Sequence, residues 1–156
     1  MRRKDREVTD FNTMLEIMRS CDCCRLGLAD CGSVYIVPLN FGIYERDGKI
    51  SLYFHCADKG RKIDLINSNG SVGFEMDTGH RLVKNEISCE CTFMYRSIIG
   101  SADAVVVSDD EEKIFGLQRI MEHYGDTSSR DFSPAALEHV AVLRLDITDW
   151  SCKQHV

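Results

Sequence analysis

The residues best suited to chemistry lie together in Leu52-Tyr-Phe-His-Cys-Ala-Asp-Lys-Gly-Arg-Lys-Ile-Asp64, where a strand end, a glycine turn and a helix start follow one another. Lys59, Arg61 and Lys62 place three cations within four residues of a chain whose formal net charge is -6. A strand-to-helix junction aims unpaired backbone N–H groups and the positive end of a helix dipole at one point, which makes an anion site, and phosphate suits it. Cations are unfavourable at a helix N-terminus unless an anion joins them, so their position favours a ligand over a solvated helix start. His55 reads either as part of that site or as an ordinary strand histidine.

Eight cysteines are the other reactive feature. Cys21-Asp-Cys23-Cys24 and Cys89-Glu-Cys91 are tight enough for thiolates to hold zinc or an iron-sulfur centre. Against this, a C-x-C pair in a strand sends both side chains to one face, whereas structural zinc sites use C-x(2–4)-C on a turn. The plainer reading is small, buried or half-buried apolar residues, and no metal site is assigned. Met1-Arg-Arg-Lys-Asp-Arg-Glu is followed by Thr9, Asp10 and Asn12 and not by an apolar stretch, so it does not read as a signal peptide. The expected compartment is the reducing cytoplasm, where thiols persist.

The elements that must position these groups fit one domain over residues 1–156, with 44% hydrophobic and 28% charged residues as in an ordinary globular chain. The acidic balance argues against general nucleic-acid binding, and no apolar run is long enough to span a bilayer. Asp10 caps a predicted helix to about Ser20, with Phe11, Met14, Leu15 and Met18 on one face. Strands are expected at residues 24–29, 33–45 and 49–56, separated by hairpin turns at Asp30-Cys31-Gly32 and Arg46-Asp47-Gly48. Pro38 and Gly42 inside the second of these mark an edge, a bulge or a place where something other than a strand approaches.

Farther on, a short helix from about Asp58 ends at Gly70, and a strand covers residues 71–77. Residues 78–85 read as a loop, and residues 87–107 as one long strand or two broken at Gly100. A helix capped by Asp109 or Asp110 runs to about Tyr124, with Ile114, Leu117, Met121 and Tyr124 along one side. Residues 125–134 are a polar loop, residues 135–139 add a helical turn, and a last strand covers residues 140–147. Six or so short strands with flanking helices predict a mainly β protein, a small antiparallel barrel.

Val37-Pro-Leu-Asn-Phe-Gly42, Leu52-Tyr-Phe-His-Cys-Ala57, Gly60-Arg-Lys-Ile-Asp64, Val72-Gly-Phe-Glu75 and Tyr95-Arg-Ser-Ile-Ile-Gly-Ser-Ala102 together resemble the nitroimidazole-resistance (Nim) group of pyridoxamine 5'-phosphate oxidase-related proteins. That resemblance implies a split β-barrel that forms a homodimer and holds flavin mononucleotide (FMN) between subunits. It implies that Val37, Pro38, Leu39 and Asn40 border the isoalloxazine ring with their backbone. It implies too that His55, Lys59, Gly60, Arg61 and Lys62 surround the phosphate, with Ser97 reaching the same site. Trp150 covers the flavin from the partner or packs the dimer; here the chain departs from relatives, which often carry Gly-Lys near Trp150-Ser-Cys-Lys153.

The implied activity is FMN-dependent reduction of nitro-aromatic compounds by an electron donor, with His55 the position to watch for a catalytic part; phosphate or backbone contact is its plainer role. The alternatives are a non-catalytic flavin- or haem-binding module of the same fold, and a metal or redox-sensing site built from the cysteines.

Overall fold

The structure, a computed structural model, describes residues 3–87, 91–128, 132–133 and 137–156. After a 3-10 turn at Lys4–Arg6, the elements are β1 (Glu7–Val8), α1 (Phe11–Arg19), β2 (Cys24–Asp30), β3 (Ser33–Leu39), β4 (Phe41–Arg46) and β5 (Lys49–Ala57). Then come α2 (Arg61–Asn69), β6 (Ser71–Val83), β7 (Thr92–Val106), α3 (Asp110–His123) and β8 (Val140–His155). All pairings are antiparallel, in the order β3-β2-β6-β7-β8-β5-β4, with β1 on β8.

The two ends of that order, β3 and β4, are consecutive in the chain, joined by Asn40 alone, and among the described residues they do not pair with each other. Because every pairing in the order is antiparallel, β3 and β4 run in the same direction, so β4 continues β3 end to end past Asn40, and the curled sheet stays split beside this long kinked strand, at the β3–β4 seam. The single strand expected over residues 33–45 is two strands on opposite edges. Pro38 sits on β3, which pairs only with β2, so its missing N–H leaves no gap in a central ladder.

Both hairpin turns form as expected, with positive φ at Cys31 (47°), Gly32 (87°), Asp47 (54°) and Gly48 (76°), the backbone that follows the right-handed twist of the strands. Asp10 caps α1 by accepting from the Thr13 amide at 2.8 Å. Met14, Leu15, Ile17 and Met18 of α1 are buried in the barrel interior with Leu26, Leu28, Phe41, Leu52, Phe54, Ile98 and Leu143. Each such side chain contributes roughly 1.5–3 kcal/mol.

Two strands, β6 and β8, run well past their predicted bounds, and a third, β7, is continuous within its own. β6 continues to Val83, so residues 78–83 are strand and not loop; the register shift between Thr78 and Arg81 hides the alternation. β7 is one strand to Val106, and its irregularity falls at Ser101/Ala102, one residue past Gly100. Gly100 answers to packing: a Cβ there would stand 2.4 Å from the Asp149 carbonyl oxygen and 2.6 Å from the Phe74 ring. β8 runs through Trp150 to His155, well beyond residue 147. The expectations for Cys89, for much of the 125–134 loop and for Ala135 lie partly or wholly outside the described residues. Among the described residues no helix is long and apolar enough to cross a membrane.

α3 lies on the outside of the barrel, where Tyr53, Val107, Ile120 and Val142 form a second apolar cluster. Its buried positions are Gly116 and Ile120; of the predicted side, Leu117 packs half-buried against the cluster and Tyr124 is exposed, because two glycines set the contact. A Cβ on Gly42 would lie 2.3 Å from the Arg119 carbonyl carbon, and one on Gly116 would lie 2.6 Å from the Tyr53 ring. Helix backbone, and no ligand, is what approaches Gly42. Glu112 ties the near end of α3 to the sheet, accepting from Arg144 Nη1 at 2.5 Å and from the Tyr53 hydroxyl at 3.2 Å. At the far end the Tyr124 hydroxyl donates to the Asp22 carbonyl at 2.7 Å and accepts from the Phe41 amide at 3.3 Å.

Gly42→Ala should therefore force α3 off β4 and cost about 2–3 kcal/mol of stability. Urea denaturation measures this directly; a midpoint equal to that of the parent protein would contradict the close packing.

Candidate functional site

Residues 55–57 carry β5 past Phe54, which pairs with Phe41 at the start of β4, and residues 58–60 lead into α2. Gly60 is the N-cap of α2, with φ 127°, a backbone that residues with a side chain rarely adopt. It brings no capping side chain, so the first turn of α2 presents backbone N–H groups that no side chain caps among the described residues. The helix is held by Ile63 and Ile66, which are buried in the main core. Gly70, φ 68°, ends it.

Around this N-terminus the cations differ. Lys59 and Arg61 are exposed and Lys62 is half-buried. Arg61 Nε donates to Asp30 Oδ2 at 2.8 Å, Nη2 donates to the same oxygen, and the guanidinium carbon lies 4.5 Å from the centroid of the Tyr35 ring. Burial raises the Cys56 pKa, and the Lys62 ammonium opposes that rise. Lys59 and Lys62 form no ion pair with a carboxylate among the described residues, so theirs is the charge left uncompensated.

His55 is at the same strand end but on the other face. Ile50, Leu52 and Phe54 of β5 point into the main core and Cys56 packs against it, whereas Tyr53 belongs to the cluster under α3. Alternation places exposed His55 with Tyr53, outside the barrel and opposite Val142. Because Phe41 pairs with Phe54, the Asn40 corner stands beside His55. Val37 and Leu39 pack half-buried against the core, and Pro38 and Asn40 are exposed. The geometry thus brings Arg61 to Asp30 and Tyr35 at the start of β3 and sets Asn40 beside His55 at its end.

Ser97 and Trp150 are not brought there within one chain. Ser97 pairs with Asp77 of β6 and Lys153 of β8, and β7 is separated from β3 by β6 and β2. Trp150 packs edge-on against Phe11 of α1, ring centroids 6.0 Å apart. Sequence reasoning missed Asp30, Tyr35 and Cys56. Asp30 was legible only as a turn residue, and no local signal links it to Arg61, 31 positions away.

The thiols are dispersed in burial: Cys21, Cys24 and Cys152 are buried, Cys23 and Cys56 half-buried, Cys31 and Cys91 exposed. Burial pushes Cys21 up to about 12 and Cys152 up to about 11, and raises Cys24 as well. Among the described residues no group of three or more His, Cys, Asp or Glu side chains is arranged to hold a metal ion.

The family described as pyridoxamine 5'-phosphate oxidase matches residues 10–154. The chain belongs to that family. A solved protein of Bacteroides thetaiotaomicron, described as a 5-nitroimidazole antibiotic resistance protein, is 30% identical, with a TM-score of 0.82 over 95% of this chain and 86% of the other. The flavocytochrome Anf3 of Azotobacter vinelandii, 20% identical, has a TM-score of 0.82 over 100% of this chain and 72% of its own. The FAD- and haem-binding protein of Mycobacterium smegmatis, 20% identical, has a TM-score of 0.80 over 96% and 73%. No curated protein matches. The likeness first visible in residues 37–42 and 52–64 is a family relationship, and the split barrel is its fold.

The thiolate is the nucleophile, so alkylation at pH 8 should modify Cys31 and Cys91 readily and leave Cys21, Cys24 and Cys152 unmodified until the protein is denatured. Mass mapping of labelled peptides reads the order; early labelling of Cys21 or Cys24 would contradict the burial.

Proposed function

We propose that this protein binds FMN along the β3–β4 seam and uses it as an oxidoreductase on nitro-aromatic compounds such as 5-nitroimidazoles. The observation that carries this reading is the N-terminus of α2 at Gly60, which no side chain caps, with Lys59 and Lys62 in no ion pair among the described residues and Arg61 reaching Tyr35 on the edge strand β3. The 30% identity to the Bacteroides protein supports the substrate class.

The residues fit the cofactor. A phosphate monoester supplies the anion that the α2 N-terminus and the two lysines lack. Strand β3 runs from Tyr35, under Arg61, to Val37 and Asn40, two to five residues on or roughly 7–17 Å. That span brackets an extended ribityl chain, so one strand can set the distance from phosphate to ring. When bound, the flavin supplies the two-electron chemistry between a reductant and a small-molecule substrate. The chain's own part is to hold the phosphate and to offer the backbone of Val37, Pro38, Leu39 and Asn40 to the ring. His55, exposed beside the Asn40 corner, is the side chain placed to meet a substrate or the flavin edge.

The functional unit in this reading is a homodimer. The outer face carries an apolar strip in which Val34 is 67% exposed, Ile36 63% and Ile99 55%, with the paired Gly27 and Gly73 between them. Ser97 and Trp150 can join the seam only from a second copy. A second reading, a flavin- or haem-binding module without turnover, is favoured by the flavocytochrome and the FAD- and haem-binding protein that share the fold.

Purified protein should be yellow or take up added FMN, and Lys59→Glu/Lys62→Glu should weaken that uptake at least tenfold. Colourless protein with no FMN uptake would overturn the proposal. Stopped-flow oxidation of the reduced holoprotein by 5-nitroimidazoles separates enzyme from module: faster reoxidation with the nitro compound supports the enzyme, and an unchanged rate supports the module.

A further inference from the structure

Asp30 is an odd neighbour for a phosphate grip, since its carboxylate faces the site where an anion is to bind. The geometry accounts for it. Arg61 is the first residue of α2, and its side chain crosses from the helix to the β2–β3 hairpin on the other side of the mouth. Two of its donors, Nε at 2.8 Å and Nη2, meet one oxygen of Asp30, while its guanidinium carbon lies 4.5 Å from the Tyr35 ring centroid. The bonds set the direction of the fork, and the guanidinium lies over the Tyr35 ring. The anchor is itself held: Cys31 and Gly32 close the turn with φ 47° and 87°, and the Ser33 hydroxyl donates to the Asp30 carbonyl at 2.7 Å.

We propose that Asp30 and Tyr35 are positioning residues for the phosphate grip, holding Arg61 across the mouth of the α2 N-terminus so that its remaining nitrogen, Nη1, faces a bound phosphate monoester. The charge of Arg61 is neutralised by Asp30, and the countercharge of the phosphate comes from Lys59 and Lys62. Arg61 contributes a fixed donor; the lysines contribute charge. This inference rests on the reading that the anion is the phosphate of FMN. It also joins the two halves of the ligand site, because Tyr35 under the guanidinium is on the same strand as Val37, Pro38 and Leu39.

The sign of one substitution separates positioning from charge. Asp30→Asn removes a negative charge next to a dianion, so charge alone predicts tighter FMN binding. Positioning predicts weaker binding, because the fork loses its charged anchor. Arg61→Lys keeps the charge but cannot make the two-donor contact or stack as a plane.

Dissociation constants for FMN and for riboflavin, which lacks the phosphate, can be read by flavin fluorescence on the full chain and on Asp30→Asn, Arg61→Lys, Tyr35→Leu and Tyr35→Phe. The inference expects FMN binding to weaken roughly tenfold in Asp30→Asn and Arg61→Lys, with riboflavin binding unchanged. It expects Tyr35→Leu to weaken FMN binding and Tyr35→Phe to restore it. Tighter or unchanged FMN binding by Asp30→Asn, or parent-like binding by Arg61→Lys, would overturn it while leaving the FMN reading intact. A parent protein that binds FMN and riboflavin equally would overturn the phosphate reading and this inference together. Parallel loss of both flavins in every variant would mark Asp30 and Tyr35 as parts of the fold only.

Discussion

The structure depends on a ladder that is left open. Each inner strand, from β2 through β6, β7, β8 and β5, is paired on both sides along part of its length, whereas among the described residues β3 and β4 are each paired on one side. An open sheet of this curvature leaves a row of N–H and C=O groups facing its own gap, which in an unliganded protein is a liability. Here the chain itself bridges the gap at Asn40, and Arg61, the first residue of α2, reaches Tyr35 on the β3 edge. Backbone polarity and positive charge therefore accumulate in the same cleft. In the proposed function, these are the two features that a flavin phosphate and its ring would meet in order.

The helices divide the work of keeping that gap in shape. α1 and α2 insert apolar side chains into the barrel and so decide its diameter, with Met18 fully buried and Ile66 nearly so. α3 clamps the outside, its backbone touching β4 through Gly42. Its last residues reach the corner of the seam: Tyr124 bridges Asp22 and Phe41, and the His123 ring lies 4.3 Å from that of Phe41 while its Nε2 meets the Cys21 carbonyl at 2.8 Å. The corner at Asn40 is thus fixed from both sides, and a ligand lying against it meets a backbone that is already in place.

Local chemistry was legible in the sequence and long-range pairing was not. The caps at Asp10 and Gly70, the two hairpin turns and the basic junction at residues 59–62 are set by neighbours in the chain and formed where residue type placed them, although α2 begins at Arg61 and not at Asp58. The extension of β6 past Thr78 and of β8 past Ile147 depends on partners in β7 that lie far off in sequence, with register shifts interrupting the alternation. The contacts of Arg61 belong to the same class: three nearby cations are visible as a cluster, but that one of them is neutralised by Asp30 is a fact of the fold. Gly42 taught the opposite lesson, because a glycine in a strand announces a close approach without saying what approaches. Ser97 and Trp150 entered the site by resemblance alone, and one chain does not bring them to the seam.

The central claim is that the seam receives FMN with its phosphate on the N-terminus of α2. A crystal structure of the protein grown with FMN tests it most directly. The account predicts the phosphate within hydrogen-bonding distance of the α2 first-turn amides and of the Lys62 ammonium, with the ring along Val37, Pro38, Leu39 and Asn40. A flavin bound elsewhere, or a seam empty at saturating FMN, would contradict it.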